Sequence, residues 1–114
     1  MSGAPNLEDV DLYAAKNFTG NGLKALATLP KLKKLRLTAT SVTDADVPIL
    51  TQFLALRELE LMCTKITDEA IDDLSKLRNL QKLRIAYTEM SEEGAAKLQG
   101  LLPMVEVFWI AKRK

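Results

Sequence analysis

Three apolar positions return every 24 residues. Leu32, Leu35 and Leu37 are followed by Leu56, Leu59 and Leu61, then by Leu80, Leu83 and Ile85, and the spacing carries on to Met104, Val107 and Trp109. The rest of the unit recurs with them: Thr40, Thr64 and Thr88; Val42, Ile66 and Met90; Thr43, Thr67 and Ser91; Asp44, Asp68 and Glu92; Val47, Ile71 and Ala95; Leu50, Leu74 and Leu98. An earlier copy, Leu7, Val10, Leu12, Phe18, Thr19, Leu23, Leu26 and Leu29, fits with one extra residue between its strand and its helix. So many coincident positions argue against chance leucine spacing in a helical bundle. A unit this short cannot bury its apolar face alone, so copies must stack.

Two periods alternate inside each unit. "KLRLT" at 34 to 38 alternates polar and apolar as a strand does, whereas "DEAIDDLSKL" puts Ile71, Leu74 and Leu77 on one helical face. Each unit therefore reads as a short strand, a bend and a helix. Thr43, Thr67 and Ser91 stand at the helix entrances as N-caps, and the acidic residue after each suits the positive end of the helix dipole. Thr40, Thr64 and Thr88 fall in the bend, where their hydroxyls can form a ladder that satisfies buried backbone groups. Pro48 removes an N–H early in the second helix and should shorten or kink it.

The phrases "LRLTATSVTD", "LELMCTKITD" and "LRIAYTEMSE" resemble the bacterial type of leucine-rich repeat, with units of the form L-x-x-L-x-L-x-x-T-x-[IV]-T-D-x-x-L-x-x-L-x-x-L. The ending "GAAKLQGLLPMVEVFW" looks like the closing turn of such an array. Met90, Ser91, Glu92 and Gly20 depart from the pattern. "MCTKITD" is also similar to the cysteine-containing repeats of ubiquitin-ligase substrate receptors, although one copy alone has a cysteine and no F-box-like segment precedes the array. The resemblance implies an α/β leucine-rich-repeat solenoid, a right-handed βα superhelix. About five parallel strands line its concave face and helices its convex face. It covers residues 7–110, between an N-terminal tail at 1–6 and a basic tail at 111–114. It implies a protein-interaction module and brings no catalytic residue.

Composition removes most other functions. Sixteen basic residues against fifteen acidic ones create no global field for nucleic acid or an anionic membrane, and no apolar run approaches the roughly 18 residues needed to cross a bilayer. Histidine is absent, which removes the commonest general base and metal ligand. Cys63 is the single cysteine, so no internal disulfide or CxxC pair forms, and a reducing compartment such as the cytoplasm fits. It lies near the rim, accessible but without a histidine to activate it. "NFT" at 17 to 19 matches a glycosylation sequon by chance, "GNG" at 20 to 22 lacks phosphate-loop spacing, and Asp72 and Asp73 supply too few oxygens for calcium. No enzyme, cofactor or metal is expected.

In a parallel sheet of such units, the residues alternating with the buried ones face outward in rows. The first row is Asp9, Lys34, Glu58, Lys82 and Glu106; the second Asp11, Arg36, Glu60, Arg84 and Phe108; the third Tyr13, Thr38, Met62, Ala86 and Ile110. Signs alternate from strand to strand in the first two rows, so "KLKKLR" at 31 to 36 should be neutralised in space rather than form a nucleic-acid patch. The expected partner is another protein, contacted through Tyr13, Arg36, Glu60, Met62, Arg84, Ala86, Phe108 and Ile110, with Met62, Ala86, Phe108 and Ile110 forming an apolar strip. Such a face spans about 20 Å by about 17 Å. A standard interface takes about 800 Å² per partner, so the sheet alone is small. The alternative is an architectural or self-associating piece of a larger solenoid, a homodimer joined through the C-terminal edge "VEVFWI", where an unpaired strand would lie.

Overall fold

The computed structural model describes residues 7–14, 17–18 and 20–111. Five three-residue strands, β1 (Asp9–Asp11), β2 (Lys34–Arg36), β3 (Glu58–Glu60), β4 (Lys82–Arg84) and β5 (Glu106–Phe108), form one parallel sheet in sequence order. Four helices, α1 (Gly20–Leu26), α2 (Val47–Leu50), α3 (Ile71–Leu74) and α4 (Glu92–Leu101), cross between them, and a 3-10 turn (Asp68–Ala70) leads into α3. The expected tails at 1–6 and 111–114 lie outside the described residues, apart from Ala111, as does Thr19.

The register is the one the 24-residue spacing dictates: Val10, Leu35, Leu59, Leu83 and Val107 line up across the sheet. Leu35, Leu59 and Leu83 are buried, as are Leu37, Leu61 and Ile85 one step further on. Leu50 and Leu74, from the helices, close the same core. Full burial of one such side chain contributes about 1.5–3 kcal/mol, and because Leu59 packs in the middle of the stack its truncation to alanine has no flexible end to relax into.

The structure corrects three details. Between α4 and β5 the fourth copy slips by one residue: Met104 is 91% exposed, Val105 takes the core slot that spacing gave to Met104, and Leu102 is buried before it. The cause is helical pitch. In the second and third units the helix ends in an i→i−3 bond, Phe53 to Leu50 and Leu77 to Leu74, whereas in α4 the Leu102 N–H reaches Leu98, four residues back. One more residue is used per turn, and the apolar phase shifts with it.

Thr67 and Ser91 do cap, accepting from Glu69 N–H at 3.1 Å and Gly94 N–H at 3.0 Å. Thr43 does not cap; its N–H and hydroxyl both donate to Asp46, and α2 has no side-chain cap. As expected, Thr40, Thr64 and Thr88 are buried and satisfy backbone groups of the bend: each hydroxyl donates to the carbonyl three residues back in its own unit, Leu37, Leu61 or Ile85, at 2.6–2.9 Å. Finally, α2 is short as Pro48 suggested, yet α3 is equally short without a proline. Brevity belongs to the two inner units, since α1 runs for 7 residues and α4 for 10.

Candidate protein-binding face

Register places the three outward rows where the spacing put them: Asp9, Lys34, Glu58, Lys82 and Glu106 in one, Asp11, Arg36, Glu60, Arg84 and Phe108 in the next. The third row continues beyond the strands, because Ala14, Ala39, Cys63 and Tyr87 each donate an N–H to the third-row carbonyl of the following unit, Thr38, Met62, Ala86 or Ile110.

Opposite charges meet across the strands. Lys34 lies 3.7 Å from Glu58, Arg36 lies 3.6 Å from Asp9 and 4.0 Å from Asp11, and Arg84 lies 3.3 Å from Glu60, whose other oxygen accepts from Thr38 at 3.5 Å. Each pair keeps its cation more than a third exposed, although the Glu60 side chain is only 18% exposed, so each contributes at most about 1 kcal/mol and acts mainly on register. Among the described residues, Lys82 and Glu106 make no ion pair. The central depression between Lys34, Glu58 and Arg84 holds about 10 Å³, room for one water.

The expected apolar strip is only partly present. Ala86 is 0% exposed and cannot contact a partner, because its small side chain sits below its larger neighbours in the row. Met62 is half-buried, Phe108 is 44% and Ile110 39% exposed, and Tyr13 stands at the far, N-terminal end of the row. Tyr87, unremarked in the sequence, is equally open at the rim: it occupies the bend position where Ala14, Ala39 and Cys63 also take φ near +60°. That column was visible only as a position preceding the repeated threonines. Cys63 is exposed, as expected of a rim residue.

A second apolar surface lies away from the sheet. The slip at the end of α4 leaves Leu101 and Met104 outside, beside Pro103, Ser75 and Arg78, around a cleft of about 330 Å³. Among the described residues no three side chains gather as a metal-ligand set, and no helix is long and apolar enough to cross a membrane.

A leucine-rich-repeat family model matches residues 56–75. No curated protein sequence matches the chain. Among solved structures, leiomodin-1 actin-binding site 2 superposes with a TM-score of 0.70 at 16% identity, covering 96% of this chain and 73% of that one. A leucine-rich-repeat protein of Leptospira interrogans gives 0.55 at 19% identity, covering 90% of this chain and 37% of that one, so the chain spans little more than a third of its length. Identities this low speak to fold, and the fold is that of a leucine-rich-repeat α/β solenoid.

Proposed function

We propose that the chain is a non-enzymatic protein-interaction module of the leucine-rich-repeat type, contacting another protein through the C-terminal half of its concave face. The observation that carries this reading is the change of character along the second row, where paired charges at Arg36, Glu60 and Arg84 give way to exposed Phe108, with Met62 and Ile110 beside them. An aromatic anchor beside arginine is the composition that dominates interface energetics. Tyr13 is a peripheral member. A structure sharing the fold is named an actin-binding site, so a solenoid of this kind is known to serve a protein surface; the partner here is a matter for experiment.

Nucleic acid is not the partner on this reading. Lys33, Lys34 and Arg36 of the basic run each face an acid, Glu8 at 3.7 Å, Glu58 and Asp9, which leaves little charge for phosphate.

Photo-crosslinking from position 62 in a cell extract tests the reading. Arg84→Glu and Phe108→Asp should each lower capture of the specific partner at least about tenfold, the range of a hot spot, while the circular dichroism spectrum stays unchanged. Identical capture by the wild type and both variants would sink it.

A further inference from the structure

Parallel strands put every turn that enters the sheet at one end and every turn that leaves it at the other. The entering turns at 28–33, 52–57, 76–81 and 102–105 hold Lys31, Lys33, Arg57, Lys76 and Arg78 and no carboxylate. The leaving turns at 37–46, 61–70 and 85–94 are acidic, with Lys65 their single base. A chain of near-zero net charge is therefore polarised from one end of its strands to the other, which the totals hide. Two of the entering cations are matched by neighbours, Lys33 with Glu8 at 3.7 Å and Lys76 with Asp73 at 3.5 Å. Lys31, Arg57 and Arg78 make no ion pair among the described residues.

The same end exposes apolar side chains. Leu54 is 79%, Met104 91% and Leu101 48% exposed. Arg78 connects them: it lines a depression of about 50 Å³ with Leu54, Lys76 and Asn79, and it forms a wall of the cleft of about 330 Å³ with Ser75, Leu101, Pro103 and Met104. The Asn79 side-chain amide ties the turns together, donating to the Leu54 carbonyl at 3.1 Å. The larger recess sits at the lower limit of pockets that hold a ligand, about 300–1,000 Å³.

We propose that this basic end is a second docking surface, separate from the concave face, for an acidic segment of another protein that carries an apolar anchor. The anchor enters the recess beside Leu101 and Met104, and flanking carboxylates meet Arg78 in its wall and Arg57 on the neighbouring turn. A guanidinium can hold a carboxylate through two parallel bonds, which fixes how the segment lies. The recess and its charge together decide between partners. A bilayer is flat and leaves a recess empty, and a nucleic acid backbone offers nothing apolar to Leu101 and Met104. The acidic end of a second copy has the right sign, but its Asp44 and Asp68 are already engaged by Thr67 and Ser91, and a contact between unlike ends does not close into a dimer.

Fluorescence anisotropy with the full chain tests the surface. The probe is a short fluorescein-labelled peptide, Leu-Phe flanked on both sides by Asp and Glu, compared with the same peptide carrying Ser-Ser at its centre; binding to oligothymidylate and to phosphatidylserine vesicles is measured alongside. The first peptide should bind with a Kd of about 10–100 µM. Loss of its Leu-Phe should weaken binding at least about tenfold, as should Arg78→Glu, and Met104→Ser should weaken it about threefold. Lys65→Glu, the same charge change at the acidic end, should leave the affinity within about twofold, because it acts over more than a screening length of about 10 Å. Arg78 and Met104 are exposed, so the melting curve should be retained in both variants. No binding below about 1 mM overturns the proposal. So do equal affinities for the two peptides, equal losses from Arg78→Glu and Lys65→Glu, or tighter binding of oligothymidylate or vesicles than of the peptide. Every substituted residue lies off the sheet, so failure here leaves the concave-face reading standing.

Discussion

Ala14, Ala39, Cys63 and Tyr87 hold φ of 59–61°, a conformation that costs an ordinary L-residue about 1–2 kcal/mol. The cost is tolerated because each N–H there donates across to the next unit, at 2.8–3.1 Å, and after Ala39, Cys63 and Tyr87 the turn delivers the following threonine into the core. Only the packed stack fixes that geometry, which is why nothing in the residue types Ala, Cys and Tyr announces it. The buried threonines themselves were legible, since a hydroxyl at a fixed place in every copy needs a structural reason. Their acceptors were not, because spacing says which residues align and not which lone pair each one reaches. Ala86 was misread for a similar reason: alternation gives the face, but the size of a side chain decides whether it emerges. Cys63 makes the strain measurable, because its side chain is exposed and no cavity confuses the result. Cys63→Asn should raise the unfolding free energy by about 0.5–1 kcal/mol, since asparagine tolerates this region, and Cys63→Val should lower it by more than about 1 kcal/mol. Urea denaturation of both variants checks the pair; equal stabilities would mean the turn stores no strain.

Between elements, the recurrent Thr-Asp phrase joins one unit to the next as well as capping a helix at Thr67 and Ser91. Asp44 accepts from the Thr67 N–H at 2.8 Å and its hydroxyl at 2.5 Å, and Asp68 accepts from the Ser91 N–H at 2.8 Å and its hydroxyl at 2.6 Å. The sequence displays the Asp column but not its target, because a residue 23 positions away is not a helical neighbour until the units stack. Gly20, the departure at this position in the first copy, has a physical counterpart. With no carboxylate coming from the first unit, Asp46 of the second unit swings in to accept from Thr43, and a Cβ on Gly20 would lie 2.5 Å from the Asp46 carboxylate. Where the carboxylate comes from the preceding unit, the place of Asp46 is taken by Ala70 or Gly94; a Cβ on Gly94 would collide with Asp68. One small residue and one aspartate share each junction. Gly20→Asp and Asp46→Ala should therefore each cost about 1–2 kcal/mol, while the double variant should lie within about 0.5 kcal/mol of the wild type. Additive losses in the denaturation cycle would show that the two positions do not share the slot. Asp68→Ala, which has no substitute nearby, should lose about 1–2 kcal/mol outright, read as an earlier unfolding midpoint.

At the scale of the molecule, nearest-neighbour stacking makes length adjustable while the charge rows make it selective. Each unit touches only those beside it, so removing residues 65–88 joins Thr64 to Glu89 with the period intact and leaves four strands. The junction chemistry survives, because Asp44 would then precede Ser91 and Gly94 would supply the small residue. The sheet surface does not survive equally well: Glu58 would lie beside Glu106, where Lys82 now separates them. Like charges directly opposite on neighbouring strands destabilise by about 0.2–1 kcal/mol. The same substitution should then act with opposite signs in the two backgrounds. Glu106→Lys places a cation beside Lys82 in the full chain and should lower its stability, but beside Glu58 in the shortened chain it should raise it. Urea midpoints taken at low salt, in monomeric samples, measure both effects, and added salt should shrink both, since exposed charges are screened over about 10 Å. A change of the same sign in both backgrounds would mean that the alternating rows do not couple neighbouring strands, and that apolar stacking alone holds the register.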